Sequence, residues 1–339
     1  MLTFKKRLSA FIKLGDYIRQ LPKEEREYLA RRAGQHNNFF DGPNVSAALT
    51  GLAHMLQPEQ LEAWLAKYDV PETNDAPKKV GVVMAGNIPA VGFHDALCIL
   101  LSGHILLAKP SSDDPFLVPH LLEKLVELEP DFAPMIHFVP MLKEADAIIA
   151  TGSDNTARYF EYYFAKRPHI IRKNRTSVAV LTGQETKEEL AALGDDLLRY
   201  YGLGCRNVSK AYVPEGYDFI PFFEAIEYKA DIVDFHKYRN NYDYNKSIYL
   251  VNGVPHLDNG FLMVTESEQL VSPISVMFYE TYKDENDLRQ KLTAVQEKLQ
   301  CVVSKEGIWE KSFAFGQAQC PGVDDYADGV DTLAFLLKL

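Results

Sequence analysis

Apolar residues recur at two different periods along the chain. Up to about residue 70 they return every three to four positions, the period of a helix with one face inside. Met1 to Leu21 reads as an amphipathic helix. Val45, Ala48, Leu49, Leu52 and Met55 mark one face of a helix over 45–55, after Pro43 and with Asn44 as N-cap. Pro58 to Tyr68 reads as another, with Leu61, Trp64 and Leu65 on one side. Asp69 to Lys79 holds two prolines and several polar residues and reads as a linker.

Beyond it, short apolar runs alternate with helical stretches. Val80 to Ala85, Ile105 to Ala108, Ile136 to Val139, Ala147 to Thr151 and Ser177 to Leu181 predict five strands. Phe93 to Ser102, Pro115 to Leu128 and Asp154 to Lys166 predict helices between them. This alternation predicts an α/β fold with a parallel sheet covered on both faces. Ligands of such sheets bind beyond the carboxyl ends of the strands. Asn87, Lys109 and Gly152-Ser153 fall at such ends. Each has a plainer reading: a turn residue, a solvated lysine, a helix start without ligand. No GxGxxG or GxxxxGK[ST] is present, so neither standard phosphate-loop motif supports a nucleotide site.

One cysteine stands in a setting suited to chemistry. Lys187 to Arg199 carries leucines at 190, 193, 197 and 198, the spacing of a helix face. Gly202 and Gly204 can supply the positive φ that stops a helix. Val208, Ala211 and Val213 then lead into Pro214-Glu215-Gly216, a short strand and a turn. Cys205 thus lies on a Gly-rich loop between helix and strand, with Arg206 and Lys210 near enough in sequence to favour a thiolate. The other reading is a buried spacer, since free cysteine packs like a small hydrophobe. Tyr217 to Tyr249 is rich in Tyr and Phe, either substrate-facing surface or core. Further strands are expected over 260–265, 275–279 and 301–303, with an amphipathic helix from Asp284 to Leu299.

Composition narrows the class. At 339 residues, two domains are expected at about 150 residues each. The net charge of -11 argues against a nucleic-acid-binding surface. Cys98, Cys205, Cys301 and Cys320 show no CxxC spacing, which speaks against a zinc site or disulfide scaffold and for a reducing compartment. Lys13 and Asp16 break the N-terminal apolar run, so it fails as a signal peptide or membrane span. A cytoplasmic protein with no bound metal is expected.

The order of motifs adds a resemblance. Gly86-Asn87-Ile88-Pro89, Leu107-Ala108-Lys109-Pro110-Ser111-Ser112, Thr151-Gly152-Ser153, Gly202-Leu203-Gly204-Cys205 and Phe315-Gly316-Gln317 occur in the order seen in the aldehyde dehydrogenase superfamily. Gly204-Cys205-Arg206-Asn207-Val208-Ser209 and the tail from Phe315 to Gly329 more closely resemble the LuxC-type acyl-CoA reductases. The resemblance runs from about residue 35 onward and is weak over 217–265. It implies a helical N-terminal segment and a Rossmann-type cofactor domain within 1–183, rejoined by 304–339, and an α/β catalytic domain over 184–303.

The resemblance also implies roles. Cys205 would take the acyl group. The Asn87 side-chain amide and the Cys205 main-chain N–H would donate to the thioester oxygen, an oxyanion hole. Lys109 would hold the adenosine ribose or its phosphate, and Gly152 and Ser153 would sit by the pyrophosphate at a helix start. The general-base Glu of hydrolytic relatives has no counterpart: Ile170-Ile171-Arg172-Lys173-Asn174-Arg175-Thr176 carries no carboxylate. That favours reduction of an acyl thioester over oxidation to an acid. Arg172, Lys173 and Arg175 could attract phosphates or form a solvated face. Ser112 stands where NAD-preferring relatives carry Glu, which favours NADPH, with NADH as the alternative; Asp113 and Asp114 lie close by. The family's other Glu has no assigned counterpart, Gln269 falling in its place before Val271-Ser272-Pro273 and Glu268 one residue off. The expected activity is reduction of acyl-CoA to aldehyde, with acyl-CoA or an acyl-protein as donor and a homo-oligomer as the assembly. The rivals are a cysteine-dependent acyltransferase or thioesterase, and a non-catalytic scaffold of the same fold.

Overall fold

The computed structural model describes residues 2–152, 154–305 and 312–339. The chain divides into two compact units, 1–174 with 321–339, and 175–320.

The first unit opens with four helices, α1 (Phe4–Gln20), α2 (Lys23–Gly34), α3 (Gly42–Met55) and α4 (Pro58–Leu65). Helix α3 starts earlier than its apolar stripe predicts. Asp41, not Asn44, is the N-cap: its carboxylate accepts the Asn44 N–H at 2.8 Å, and Asn44 lies buried inside the first turn. Pro43 suits that first turn, where a missing N–H costs nothing. The buried Arg7 of α1 donates to the carbonyls of Leu2, Pro71 and Leu101 at 2.8–3.0 Å, which anchors the stretch read as a linker.

The α/β layer follows as β1 (Lys79–Val83), α5 (Phe93–Leu101), β2 (Ile105–Lys109), α6 (Leu117–Leu128), β3 (Ile136–Phe138), β4 (Ala147–Thr151), α7 (Asp154–Phe164) and β5 (His169–Arg172). Among the described residues the strands form one parallel sheet in the order β3-β2-β1-β4-β5. This is a doubly wound order with its switch point between β1 and β4. Val80, Val82, Leu106, Ala108, Ile148 and Ile149 are fully buried, as central strands of a covered sheet require.

The second unit contains β6 (Thr176–Val180), α8 (Lys187–Leu198), β7 (Val208–Pro214), α9 (Ile220–Ile226), α10 (His236–Asn252), β8 (Leu257–Asp258), β9 (Met263–Glu266), β10 (Val276–Tyr282), α11 (Glu285–Val295) and β11 (Leu299–Ser304). Its sheet runs β11-β6-β7-β10-β9-β8, parallel except for the β8–β9 pair. Helix α8 opens on a capping box between Thr186 and Glu189. Tyr238 and Tyr242 of α10 are buried, and the Tyr238 hydroxyl donates to the Phe261 carbonyl at 2.9 Å, so this part of the aromatic stretch is core.

Two expectations about strands change. The fifth strand of the first sheet is His169–Arg172, and the run at 177–181 forms β6 in the second sheet. The second unit therefore begins at Arg175, and the returning segment of the first unit is 321–339. That segment ends in α12 (Thr332–Leu336), whose Leu333 and Leu336 are fully buried in the core that also holds α5. Among the described residues no helix is long and apolar enough to cross a membrane.

Candidate active site

Cys205 sits in the turn that joins α8 to β7. The chain leaves α8 through Tyr200, Tyr201 and Gly202, all at positive φ (54°, 58° and 78°). Glycine adopts this conformation at little cost and the two tyrosines do so with strain. Residues 204–207 then form a turn closed by the Asn207 N–H on the Gly204 carbonyl at 3.0 Å. Cys205 is half-buried within it.

Asn207 holds the turn from inside. It is 2% exposed, and its Oδ1 accepts the Gly204 N–H at 2.7 Å. Its Nδ2 donates to the carbonyls of Arg199 (2.8 Å), Asp196 (3.0 Å) and Leu197 (3.3 Å), at and just past the end of α8. On the strand side, the Ser177 hydroxyl of β6 donates to the Cys205 carbonyl at 3.0 Å. The Ser177 Oγ also lies 2.9 Å from the buried Cys301 Sγ. Burial pushes the Cys301 thiol up to about 11.

Asp196, fully buried near the end of α8, ties in the Phe315-Gly316-Gln317 motif. Its carboxylate accepts the N–H groups of Gly316 (2.6 Å) and Ala318 (3.0 Å). Burial pushes it up to about 7, against the pull of those two hydrogen bonds. Arg206 lies over the Phe313 ring at 5.2 Å and donates to the Ala318 carbonyl at 3.3 Å. Lys210, read from sequence as a cation for the thiol, is instead buried on β7, where its ammonium pairs with Glu280 and donates to the Glu268 carbonyl. Strand register explains this: Lys210 lies beside Phe278 of β10, two residues from Glu280.

In the first unit the sequence-derived residues gather at the carboxyl edge of the sheet. Asn87 is exposed in the turn after β1. That turn is fixed by close approach: a Cβ on Gly86 would lie 2.6 Å from Ser111 Cβ, so only glycine fits. Ala90 takes a positive φ of 57°, and its N–H donates to the buried Asp114 carboxylate at 2.8 Å. Asp114 also accepts the Leu117 N–H at 3.0 Å, and burial raises its carboxyl above the usual range. Lys109 is exposed at the end of β2, in register with Val83 of β1, and Ser112 is exposed just beyond it. Gly152 follows β4 and donates to the Arg172 carbonyl at 3.2 Å; a Cβ there would come within 3.0 Å of Thr156. Ser153 lies outside the described residues.

The cation cluster at 172–175 is not a phosphate site of three converging charges. Arg172 is 4% exposed and donates to Asp95 (2.7 Å) and the Thr332 hydroxyl (2.8 Å). Lys173 pairs with Glu161 at 3.2 Å, and Arg175 donates to the Leu299 carbonyl at 3.0 Å. Sequence reasoning also passed over Ser177, Asp196 and Asn207. Asp196 carried a signal, as an acid between Leu193 and Leu197 on the apolar stripe of α8, and Asn207 stood in the motif around Cys205 without an assigned role.

The acyl-CoA reductase (LuxC) family model matches residues 17–216. No curated protein matches the chain. Among solved structures, an NAD+ complex of aldehyde dehydrogenase from Bacillus cereus superposes with a TM-score of 0.64 at 15% identity, over 90% of this chain and 72% of that one. An NADP dependent enzyme of E. coli does so at 0.65 and 15%, over 96% and 85%. HpcC from Thermus thermophilus does so at 0.63 and 16%, over 89% and 70%. With the family model spanning more than half of its length, the chain belongs to the LuxC acyl-CoA reductase family, on an aldehyde dehydrogenase-like fold.

Proposed function

We propose that the protein reduces an acyl thioester of coenzyme A to the aldehyde with NADPH, through an acyl group carried on Cys205. The observation that carries this reading is the half-buried Cys205 in a turn fixed by Asn207, on a chain of the acyl-CoA reductase family. The Cys205 thiolate attacks the thioester carbonyl. A tetrahedral oxyanion forms, the bond to the CoA sulfur breaks, and CoA leaves as the thiol after taking a proton. The Cys205 main-chain N–H and, by resemblance, the Asn87 amide are the donors to that oxyanion. When bound, a reduced nicotinamide would supply a hydride, and Cys205 would hold the acyl carbonyl that receives it. Expulsion of the Cys205 thiolate then gives the aldehyde.

The residues at the edge of the first sheet fit a dinucleotide. Exposed Lys109 ends β2, exposed Ser112 lies just beyond it, and Gly152 lies beyond β4, beside the β1–β4 switch point where dinucleotides bind in such sheets. Lys109 would take the ribose or its phosphate, and Gly152 with Ser153 the pyrophosphate. Of the two acids near Ser112, Asp114 is turned inward onto the Ala90 and Leu117 N–H groups, so Asp113 alone is exposed there. That supports NADPH over NADH, because a 2′-phosphate meets one carboxylate fewer.

The test is NADPH oxidation with acyl-CoAs from short to long chain, with NADH in parallel. Oxidation that requires acyl-CoA and is abolished in Cys205→Ala is expected. Release of free CoA thiol without nicotinamide oxidation would refute the reductase and favour acyl transfer or thioester hydrolysis.

A further inference from the structure

The two peptide planes that flank Cys205 are held by Asn207 and Ser177. The first plane joins Gly204 to Cys205. Its carbonyl accepts the Asn207 N–H at 3.0 Å. In a trans peptide the N–H points opposite to the carbonyl of the same plane. The Cys205 N–H is therefore aimed away from Asn207, out of the turn. The Gly204 N–H, one plane earlier, is held on Asn207 Oδ1 at 2.7 Å. Asn207 is itself held in place by its Nδ2, which lies 2.8–3.3 Å from three carbonyls at the end of α8. The second plane joins Cys205 to Arg206, and its carbonyl accepts the Ser177 hydroxyl at 3.0 Å.

Ser177 is fixed as tightly. It is fully buried on β6, and its own N–H donates to the Asn207 carbonyl at 3.3 Å. A hydroxyl has one proton to donate. With that proton on the Cys205 carbonyl, the 2.9 Å contact to Cys301 runs the other way, from the Cys301 thiol to Ser177 Oγ. A chain of two hydrogen bonds thus leads from Cys301 through Ser177 to the back of the nucleophile's own peptide.

We propose that Ser177 and Asn207 are positioning residues of the reaction: by locking the planes on either side of Cys205 they aim its N–H at the oxyanion that forms during acyl transfer. This rests on the reading of Cys205 as the acyl-accepting nucleophile. A donor pre-aimed at developing charge stabilises it without reorganisation, and loss of one such donor costs about 10²–10³ in rate. Loosening the plane rather than deleting the donor costs less, about tenfold.

The test compares two reactions of one thiol. Acylation by p-nitrophenyl acetate, or by acetyl-, octanoyl- and palmitoyl-CoA, passes through an oxyanion. Alkylation by iodoacetamide is a displacement at carbon and develops none. Both rates are read at Cys205 by rapid quench and peptide mass mapping, in wild type, Ser177→Ala, Ser177→Thr and Asn207→Asp. Asn207→Asp keeps an acceptor for Gly204 and replaces the amide donor by an oxygen that faces three carbonyls.

Expected in Ser177→Ala is an acylation rate lower by about tenfold or more, with alkylation within about threefold of wild type. Ser177→Thr, which keeps the hydroxyl, restores acylation. Asn207→Asp shows the same split; if it does not fold, the two Ser177 variants carry the test. Rates that fall together, or acylation that does not fall in Ser177→Ala, overturn the proposal. A wild type acylated by the ester but by no acyl-CoA refutes the proposed function, and the positioning role then stands if the split is found. A wild-type Cys205 that accepts neither acyl group overturns both.

Discussion

Replacing Arg172 with methionine would leave the Asp95 carboxylate buried with no cation beside it. Arg172 and Asp95 are 4% and 7% exposed and pair at 2.7 Å. Burial works against the charged guanidinium, and Asp95 outweighs it, so the arginine stays firmly protonated. Breaking such a pair from one side costs about 3–5 kcal/mol, because one buried charge is left uncompensated. Removing both charges is a different matter. Asp95 Oδ1 and Arg172 Nε find no hydrogen-bond partner among the described residues, so the pair is only partly satisfied. Each such atom costs about 1–3 kcal/mol, more when charged. Asp95→Leu with Arg172→Met should therefore lie within about 1.5 kcal/mol of wild type, or above it.

Urea unfolding followed by Trp64 fluorescence, in a Trp309→Phe background, measures this. Trp64 is buried in the same unit and donates to the Tyr326 hydroxyl of the returning segment at 2.7 Å. The single variants should shift the midpoint strongly with an unchanged m value, and the double variant should recover it. A double variant that loses the sum of the two singles would refute the argument, since uncoupled sites add.

Three further outcomes are expected. Lys109→Ala should raise the KM for NADPH about tenfold or more, the worth of one charge-assisted hydrogen bond, while leaving acylation of Cys205 without cofactor unchanged, as steady-state and quench measurements would show. Asp196 is protonated in the folded state up to about pH 7, whereas its ordinary value is 3.8. Its contribution to stability is therefore complete below about pH 4 and is lost as pH rises through 7, by on the order of 4 kcal/mol; Asp196→Asn should flatten that slope in denaturation midpoints measured from pH 4 to 8. In native protein at pH 8, iodoacetamide should label the exposed Cys320 and the half-buried Cys205, while Cys98 and Cys301 stay unlabelled, since burial pushes both of those thiols up.

What could be read from the chain and what could not divides along one physical line. Local signals sufficed where an element's own residues decide it. The apolar run 80–85 and the turn at Gly86-Asn87 appear as β1 and its exit, and the leucine stripe of 187–199 appears as α8. Signals failed where the deciding partner is distant. His169–Arg172 is a four-residue strand ending in Arg172, and only pairing with β4 makes it one. The run at 177–181 looks like one more strand of the first sheet, and nothing local says that the chain has already changed sheets. Lys210 seemed available to the thiol because Glu280, seventy positions on, is invisible at that range. Ser177 opens a predicted strand and Asn207 stands in the motif around Cys205, yet their hydrogen bonds to the Cys205 turn arise only once the chain folds.

The first unit is begun early and finished last. Its sheet is complete at Arg172, yet Arg172 donates to Thr332, and the His104 ring lies 2.9 Å from the Leu336 carbonyl. Leu333 and Leu336 fill the same core as α5. A ribosome adding about 5–20 residues per second would make the whole second unit in between, a delay of about seven to thirty seconds. Throughout that interval the nascent first unit would carry an uncovered apolar seat and a guanidinium short of one acceptor, whereas the second unit, continuous from 175 to 320, has all its parts as soon as it emerges. A surface left open to chaperones and to mispairing during synthesis is therefore the face of α5 that waits for α12.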